Sequence, residues 1–90
     1  MAEISAQVSL YPLRQPDLGP AIRAAWRIFE EYGLEVERGA MSTVVWGEEE
    51  TVMAALREAF NWASAKGEVV MVITLSNACP RSGKYRRSPV

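Results

Sequence analysis

Apolar and polar residues alternate over residues 4–13 of the chain. Strand side chains point in turn to opposite faces, so this segment is predicted to be a β-strand with one apolar and one polar face. The apolar positions are Ala6, Val8 and Leu10. The polar positions are Ser5, Gln7, Ser9 and Tyr11. These polar side chains are uncharged and compact, unlike the Lys and Glu of most solvated faces, so we expect them to contact a small polar ligand or another subunit.

A helix is predicted over residues 17–32, and it ends before Gly33. The segment Asp17-Leu18-Gly19-Pro20 is typical of a helix start, with a capping acid and an early proline. Large apolar residues then recur at three- and four-residue spacing, which predicts one buried stripe. Its members are Leu18, Ile22, Ala25, Trp26 and Phe29.

The second half of the chain repeats a strand-and-helix pattern. Residues 34–38 and 41–46 are predicted to form a hairpin around Gly39 and Ala40, and residues 68–76 form the last strand. Between them, residues 48–66 are predicted to form a helix that begins with acids at its positive end. Its expected buried stripe is Val52, Leu56, Ala59, Phe60 and Ala63.

The order β-α-β-β-α-β predicts a ferredoxin-like α+β sandwich, a four-stranded antiparallel sheet with two helices on one face. The first strand is central in this plan. The helices should cover the face that carries Ala6, Val8 and Leu10, joined by four residues of the last strand. Those four are Val69, Met71, Ile73 and Leu75. The opposite face is left open, and a second sheet is expected to pack there.

Ninety residues make a single domain, predicted over residues 1–80, with a basic tail at 81–90. Residues 1–76 carry six basic and eleven acidic side chains, whereas residues 77–90 carry four basic and no acidic ones. Four basic residues at the end of an otherwise acidic chain are weak evidence for nucleic-acid binding, so nucleic acid is not an expected partner. The chain has no apolar run long enough for a bilayer and no secretory leader pattern, so we expect a cytoplasmic protein with no membrane partner.

The chain contains no histidine and one cysteine, Cys79. This composition argues against a zinc site and a Ser-His-Asp triad, and Cys79 is interpreted as a structural thiol. No catalytic constellation is evident. We therefore expect a protein that is not an enzyme and that needs no metal and no cofactor.

Several polar and aromatic side chains are candidates for ligand contact. The Gln7 amide offers adjacent donors and an acceptor, which suit either the edge of a heterocycle or a hydrogen bond across subunits. Tyr11 can stack on a flat ligand, and Ser42 and Thr43 are either turn caps or ligand contacts. Glu48 can offer a carboxylate to a cationic or aminopyrimidine ligand. Asn77 can close a pocket or bond the local backbone.

Three segments resemble one family. Residues 7–13 (QVSLYPL), residues 39–43 (GAMST) followed by Gly47-Glu48, and residues 76–80 (SNACP) are similar to the small YkoF-like thiamine-binding proteins. The resemblance implies a ferredoxin-like fold whose open sheet faces pair in homodimers or dimers of dimers. It also implies binding of thiamine or its hydroxymethylpyrimidine moiety. The positions matched to ligand contacts are Gln7, Ser9, Tyr11, Ser42, Thr43, Glu48 and Asn77.

The leading hypothesis is therefore a non-enzymatic thiamine- or pyrimidine-binding protein, with its ligand on the open sheet face at a homo-oligomer interface. The alternative is a structural or regulatory oligomer of the same fold with no small-molecule ligand.

Overall fold

A computed structural model describes residues 3–15, 17–40 and 42–78 of the chain. The elements are β1 (Glu3–Pro12), α1 (Gly19–Glu31), β2 (Glu35–Arg38), β3 (Thr43–Glu48), α2 (Glu49–Ser64) and β4 (Val69–Ser76). The predicted order and the ferredoxin-like fold are confirmed. Cys79 and the basic tail lie outside the described residues, so the role of the thiol and the boundary at residue 80 stay predictions.

The four strands form one antiparallel sheet in the order β2-β3-β1-β4. The central strand β1 pairs Ala6 with Val45 of β3 on one side and with Leu75 of β4 on the other. Paired residues share a face, so this register fixes which side chains lie under the helices. Gln7 pairs with Val44 and Thr74 on the opposite, open face.

The core lies between the helices and the Ala6 face of the sheet. Phe29 of α1 and Val52 of α2 are fully buried there against Val45. Many of the other buried positions of the described residues are alanines, which bring the helices close to the sheet and to each other. They are Ala6, Ala21, Ala24, Ala25, Ala55, Ala59 and Ala63.

The predicted buried stripe of α1 was right at Ala25 and Phe29 but wrong at Leu18, Ile22 and Trp26. Leu18 is 43% exposed, and Ile22 and Trp26 are only partly buried. The buried positions are instead Ala21, Ala24, Ala25, Ile28 and Phe29. The same error occurs in α2, where Phe60 is 40% exposed and Ala55 is buried. Both helices turn their small residues inward, because a thin layer beneath a small sheet accommodates few bulky side chains.

The start of α1 also differs from the prediction. Leu18 is the capping residue by backbone position, and no side chain bonds the first turn from there. Asp17 lies one residue earlier, where its carboxylate accepts a hydrogen bond of 3.0 Å from the backbone N–H of Gly19. The acid therefore fixes the approach to the helix without capping it.

The last strand was expected to be covered along its whole helix-side face. Met71 packs against the core, but Ile73 and Leu75 are 39% and 50% exposed. β4 is an edge strand, so these two positions, which pair with Val8 and Ala6 of β1, lie at the margin of the helix-covered face.

Gly39 begins the tight turn between β2 and β3, and its N–H donates a 2.8 Å hydrogen bond to the Ser42 carbonyl. A Cβ at this position would lie 2.7 Å from that carbonyl oxygen, so the backbone would have to move. We expect Gly39→Ala to lower the free energy of unfolding by about 1–3 kcal/mol in urea titrations.

Gly19→Ala is the matched control, because its Cβ would meet the tip of the exposed, movable Arg23 side chain. Alanine there should leave stability unchanged or slightly raise it. An unchanged urea midpoint for Gly39→Ala would contradict the assignment of this turn.

Candidate functional site

A cavity of about 190 Å³ lies between α1 and the helix-covered face of the sheet, beside the β2–β3 turn. Its lining combines two strand positions, one face of α1 and the turn with the start of β3. The lining residues are Val8, Leu10, Ile22, Ala25, Trp26, Phe29, Gly39, Ala40, Ser42 and Thr43. Three lining residues are small: Ala25 on α1, and Gly39 and Ala40 in the turn. Their side chains do not fill the space beside the Trp26 indole, so the cavity remains.

The Trp26 ring forms a fixed wall of this cavity. Its Nε1–H donates a 2.8 Å hydrogen bond to the Thr43 hydroxyl oxygen. The Arg38 guanidinium lies 4.5 Å from the ring centroid, and its Nη2 is 2.5 Å from a Glu30 carboxylate oxygen. Arg38 does not line the cavity, so it covers the side of the ring that faces away from it.

Two hydroxyl groups line the cavity beside this wall. The Ser42 oxygen accepts a 3.1 Å hydrogen bond from the Gln7 amide Nε2, as the Thr43 oxygen does from Trp26. A hydroxyl that accepts one bond in this way keeps its own proton to donate. The lining residues Ser42 and Thr43 therefore each keep a hydroxyl proton to donate, and the buried Phe29 ring supplies an apolar wall.

The cavity suits one flat, neutral ring. A cavity of roughly 150 Å³ accommodates benzene, so 190 Å³ takes a six-membered ring with small substituents. Its lining residues carry no formal charge. A cation buried there would lose its hydration without a compensating carboxylate, which is unfavourable.

The predicted site residues do not all come together. Gln7, Ser9 and Tyr11 lie on the open face, and Tyr11 is 45% exposed. Ser42 lines the cavity and accepts a hydrogen bond from Gln7, so it connects this open-face group to the cavity. Thr43 lies on the other face, buried under α1, because adjacent strand residues point to opposite sides of the sheet.

Glu48 and Asn77 lie at the far end of the sheet. Glu48 ends β3 beside Glu3, and Asn77 follows β4 just beyond the pair of Ser76 with Ser5. Glu48 follows Ser42 by six residue steps, roughly 20 Å at strand spacing. The two side chains are exposed, and neither lines the cavity, so a single small ligand cannot contact Ser42 and Glu48 together.

Sequence reasoning missed the contribution of Trp26 to this site, because it placed the ring in the core. One signal was available. A tryptophan on a helix that packs on a sheet has an indole N–H that needs an acceptor, and Thr43 begins the nearest strand of the hairpin.

A second, open cleft of about 490 Å³ lies along the outer sides of α1 and α2. Its lining includes Glu49, Glu50 and Glu58 with Arg57 and Tyr32. The Tyr32 hydroxyl donates a 2.6 Å hydrogen bond to Glu58, and this bond raises the pKa of the tyrosine above its usual value. The cleft is broad and open, and its Tyr32 and Glu58 side chains already pair with each other, so it is a weaker candidate than the cavity.

Within residues 3–15, 17–40 and 42–78, neither helix has the length and apolar composition of a membrane-spanning segment. No group of three or more Cys, His, Asp and Glu side chains is placed there to hold a metal ion.

Comparison with known proteins matches residues 3–82 to the model of the YkoF-related family. The UPF0045 protein MJ1052 of Methanocaldococcus jannaschii is 33% identical over 60 residues, which span 66% of this chain. That match covers 60% of the length of the relative.

Solved structures have the same fold. The crystal structure of MJ1052 has a TM-score of 0.82 at 26% identity and covers 98% of this chain and 93% of its own. A Thermotoga maritima protein, whose description proposes a role in thiamine biosynthesis or salvage, has a TM-score of 0.78 at 19% identity, with 96% of both chains covered. A Bacillus cereus domain of unknown function has a TM-score of 0.74 at 19% identity and covers 96% of this chain and 86% of its own.

The hydrogen bond between Trp26 and Thr43 can be tested by Thr43→Val, which keeps the shape of the side chain and removes the acceptor. The partly buried indole N–H would then lack a partner. We expect the free energy of unfolding to fall by about 1–3 kcal/mol, together with a change in the near-ultraviolet circular dichroism of tryptophan.

Thr74→Val makes the same change at an exposed position of β4 and should alter neither quantity measurably. Equal effects of the two substitutions would show that the hydrogen bond does not hold the ring.

Proposed function

Because the chain belongs to the YkoF-related family, we propose that it binds thiamine or the hydroxymethylpyrimidine moiety of thiamine. The observation that carries the proposal is the ring-sized, uncharged cavity with two hydroxyl donors beside aromatic walls. The resemblance of the Thermotoga maritima structure, with its proposed thiamine role, supports the same ligand class.

The aminopyrimidine ring fits the chemistry of this cavity. Its ring nitrogens accept hydrogen bonds, and the hydroxyls of Ser42 and Thr43 have protons to donate. Its flat faces can stack on Trp26 and pack against Phe29. The hydroxyls are already oriented by Gln7 and Trp26, so little side-chain freedom is lost when the ring binds.

The thiazolium half of thiamine is placed outside the cavity in this proposal. It is cationic, the lining carries no carboxylate, and Arg38 stands on the outer side of Trp26. The proposed recognition is therefore of the pyrimidine, and the open-face position expected from the sequence is replaced by the space under α1.

We also propose that the protein binds its ligand without transforming it. General acid–base chemistry needs a positioned side chain that exchanges protons near neutral pH, and the polar side-chain groups of the cavity lining are two hydroxyls and one indole N–H. No cofactor or metal is part of the proposal.

The open sheet face is proposed to pack against a second copy of the chain, as a homodimer or within a dimer of dimers. Val70 and Val72 are 46% and 51% exposed there, paired with Tyr11 and Ser9 of β1. The part of this face formed by β1 and β4 is apolar and uncharged, which favours a protein partner, whereas Glu35 and Glu37 of β2 lie at its other side. The alternative function, an oligomer with no small-molecule ligand, rests on this surface alone.

Calorimetric titration separates the two functions. We expect heat of binding with thiamine and with hydroxymethylpyrimidine, with dissociation constants within about tenfold of each other because the thiazolium contributes little. The isolated hydroxyethylthiazole should give no binding heat. Absence of heat from all three at millimolar concentration would leave the oligomer without a ligand as the better description.

Ala25→Leu tests the position of the ligand, because the added carbons enter the cavity. We expect affinity for hydroxymethylpyrimidine to fall by more than tenfold while urea unfolding stays near that of the parent. Ala54→Leu, an exposed change on α2, is the matched control and should leave affinity unchanged.

Gln7→Ala separates the cavity from the open face. It removes the bond that orients Ser42 from an exposed side chain, so affinity should fall several-fold and stability should change little. If Gln7→Ala abolished binding and Ala25→Leu did not affect it, the ligand would lie on the open face.

A further inference from the structure

The open cleft along the outer side of α2 is negatively charged, because Glu49, Glu50 and Glu58 line it with a single base, Arg57. Glu58 already accepts a hydrogen bond from the Tyr32 hydroxyl. Within the described residues, no side chain pairs with Glu49 or Glu50. Acids in the first turn of a helix interact favourably with its dipole, so these two indicate an occupant only together with a second feature.

The cleft also exposes an apolar side chain among these charges. Met53 lines it and is 45% exposed. It lies one helical turn after Glu49 and Glu50 and one turn before Arg57. The space is open and about 490 Å³ in volume, so it suits an extended chain segment better than a single ring. A complementary occupant therefore carries positive charges on both sides of an apolar side chain.

The chain itself contains a segment with this chemistry. Residues 79–90, which lie outside the described residues, include Arg81, Lys84, Arg86 and Arg87 and no acid. Tyr85 lies between the second and third of these basic residues. A tyrosine ring makes favourable contacts with a methionine sulfur, and the flanking cations pair with carboxylates.

We propose that residues 79–90 fold back onto this cleft of their own chain, with basic side chains against the three acids and Tyr85 against Met53. The contact is intramolecular, so a short connection holds the segment at an effective concentration in the millimolar range. This surface is separate from the proposed ligand site, because no residue that lines the cleft lines the cavity.

The path of the chain allows this contact. Ser76 of β4 and Trp46 of β3 both pair with Ser5, so they lie at one level of the sheet, roughly 10 Å apart at two strand spacings. α2 begins three residues after Trp46, at Glu49. The segment therefore starts at the end of the sheet where α2 begins. Lys84, six residues beyond the last described residue, has an extended reach of about 20 Å.

The spacing of the charges also matches. Glu50 and Glu58 are eight residues apart in α2, about 12 Å along the helix axis. Lys84 and Arg87 are three residues apart, about 10 Å in an extended chain. One cation can therefore lie near each end of the acidic surface. Because Arg57 offsets one of the three acids, the attraction is modest and salt weakens it.

Trypsin tests the proposal, because it cleaves after lysine and arginine and needs an accessible chain. At about 20 mM salt, we expect cleavage of the full chain after Lys84, Arg86 and Arg87 to be about fivefold slower than cleavage of a synthetic peptide of residues 77–90. At about 500 mM salt the two rates should approach each other, because the charges are then screened. Mass spectrometry of the released fragments measures each site.

The double variant Glu49→Gln with Glu50→Gln should raise the low-salt cleavage rate of the full chain about threefold or more. Its matched control is Glu37→Gln with Glu68→Gln, which removes two exposed acids that do not line the cleft and should leave the rate unchanged. Far-ultraviolet circular dichroism should be the same for all of these chains, which shows that they fold.

An exchange of charges tests the pairing itself. Glu50→Lys and Lys84→Glu should each speed cleavage after Arg86 and Arg87, and the two together should restore the slow rate of the parent.

Three results would overturn the proposal. Equal low-salt rates for the full chain and the peptide would show that the segment is not held. Equal rates for the parent and the Glu49→Gln, Glu50→Gln variant would place the segment elsewhere. Loss of the slow rate on dilution from about 100 µM to about 1 µM would assign it to a neighbouring copy, because an intramolecular contact does not depend on concentration.

Discussion

The described part of the chain forms two helices, which can cover only one of the two faces of its sheet. The rest of the structure depends on this constraint. The helices cover the Ala6 and Val45 side, so the core forms there and the opposite side stays open. A core this thin is built largely from alanines, with Phe29 as its largest fully buried side chain. The alanines bring the layers together, but they do not fill every space between them. The open face therefore results from the lack of a second helical layer, and the cavity results from the small side chains between the helices and the sheet.

The cavity persists because its walls are held from outside. Trp26 is bonded through its N–H to Thr43 and stacked beneath Arg38, which in turn pairs with Glu30 of the same helix as Trp26. A ring fixed at its edge and on one side cannot easily rotate inward to fill the space. The lining is therefore formed before any ligand arrives, which is the arrangement that spends least binding free energy on ordering side chains.

The strand pattern could be predicted from the sequence more fully than the helix faces could. Alternation in β1 gives each side chain one of only two directions, so Ala6 and Gln7 were assigned to the correct faces. A helix allows a continuous range of rotation, and the predicted stripe through Ile22 and Trp26 competed with a stripe of smaller residues through Ala21 and Ala24. Size favoured the first in the prediction, whereas the narrow gap between the layers selected the second.

The site itself was only half predictable, for a related reason. Ser42 and Thr43 were identified by their hydroxyls, yet only the structure shows that Thr43 lies under α1 opposite Val8, whereas the Ser42 hydroxyl bonds the open-face amide of Gln7. That division has a physical consequence. Gln7, on the open face, bonds to Ser42, which lines the cavity, so one hydrogen bond connects the surface where a second copy is proposed to pack with the space where a ring is proposed to bind. A partner that took over the N–H group now bonded to Ser42 would release Ser42, and a ligand that needed Ser42 oriented would favour a Gln7 amide that no partner engages. In the proposed function, ligand binding and packing of the open face would therefore be coupled through the single side chain of Gln7.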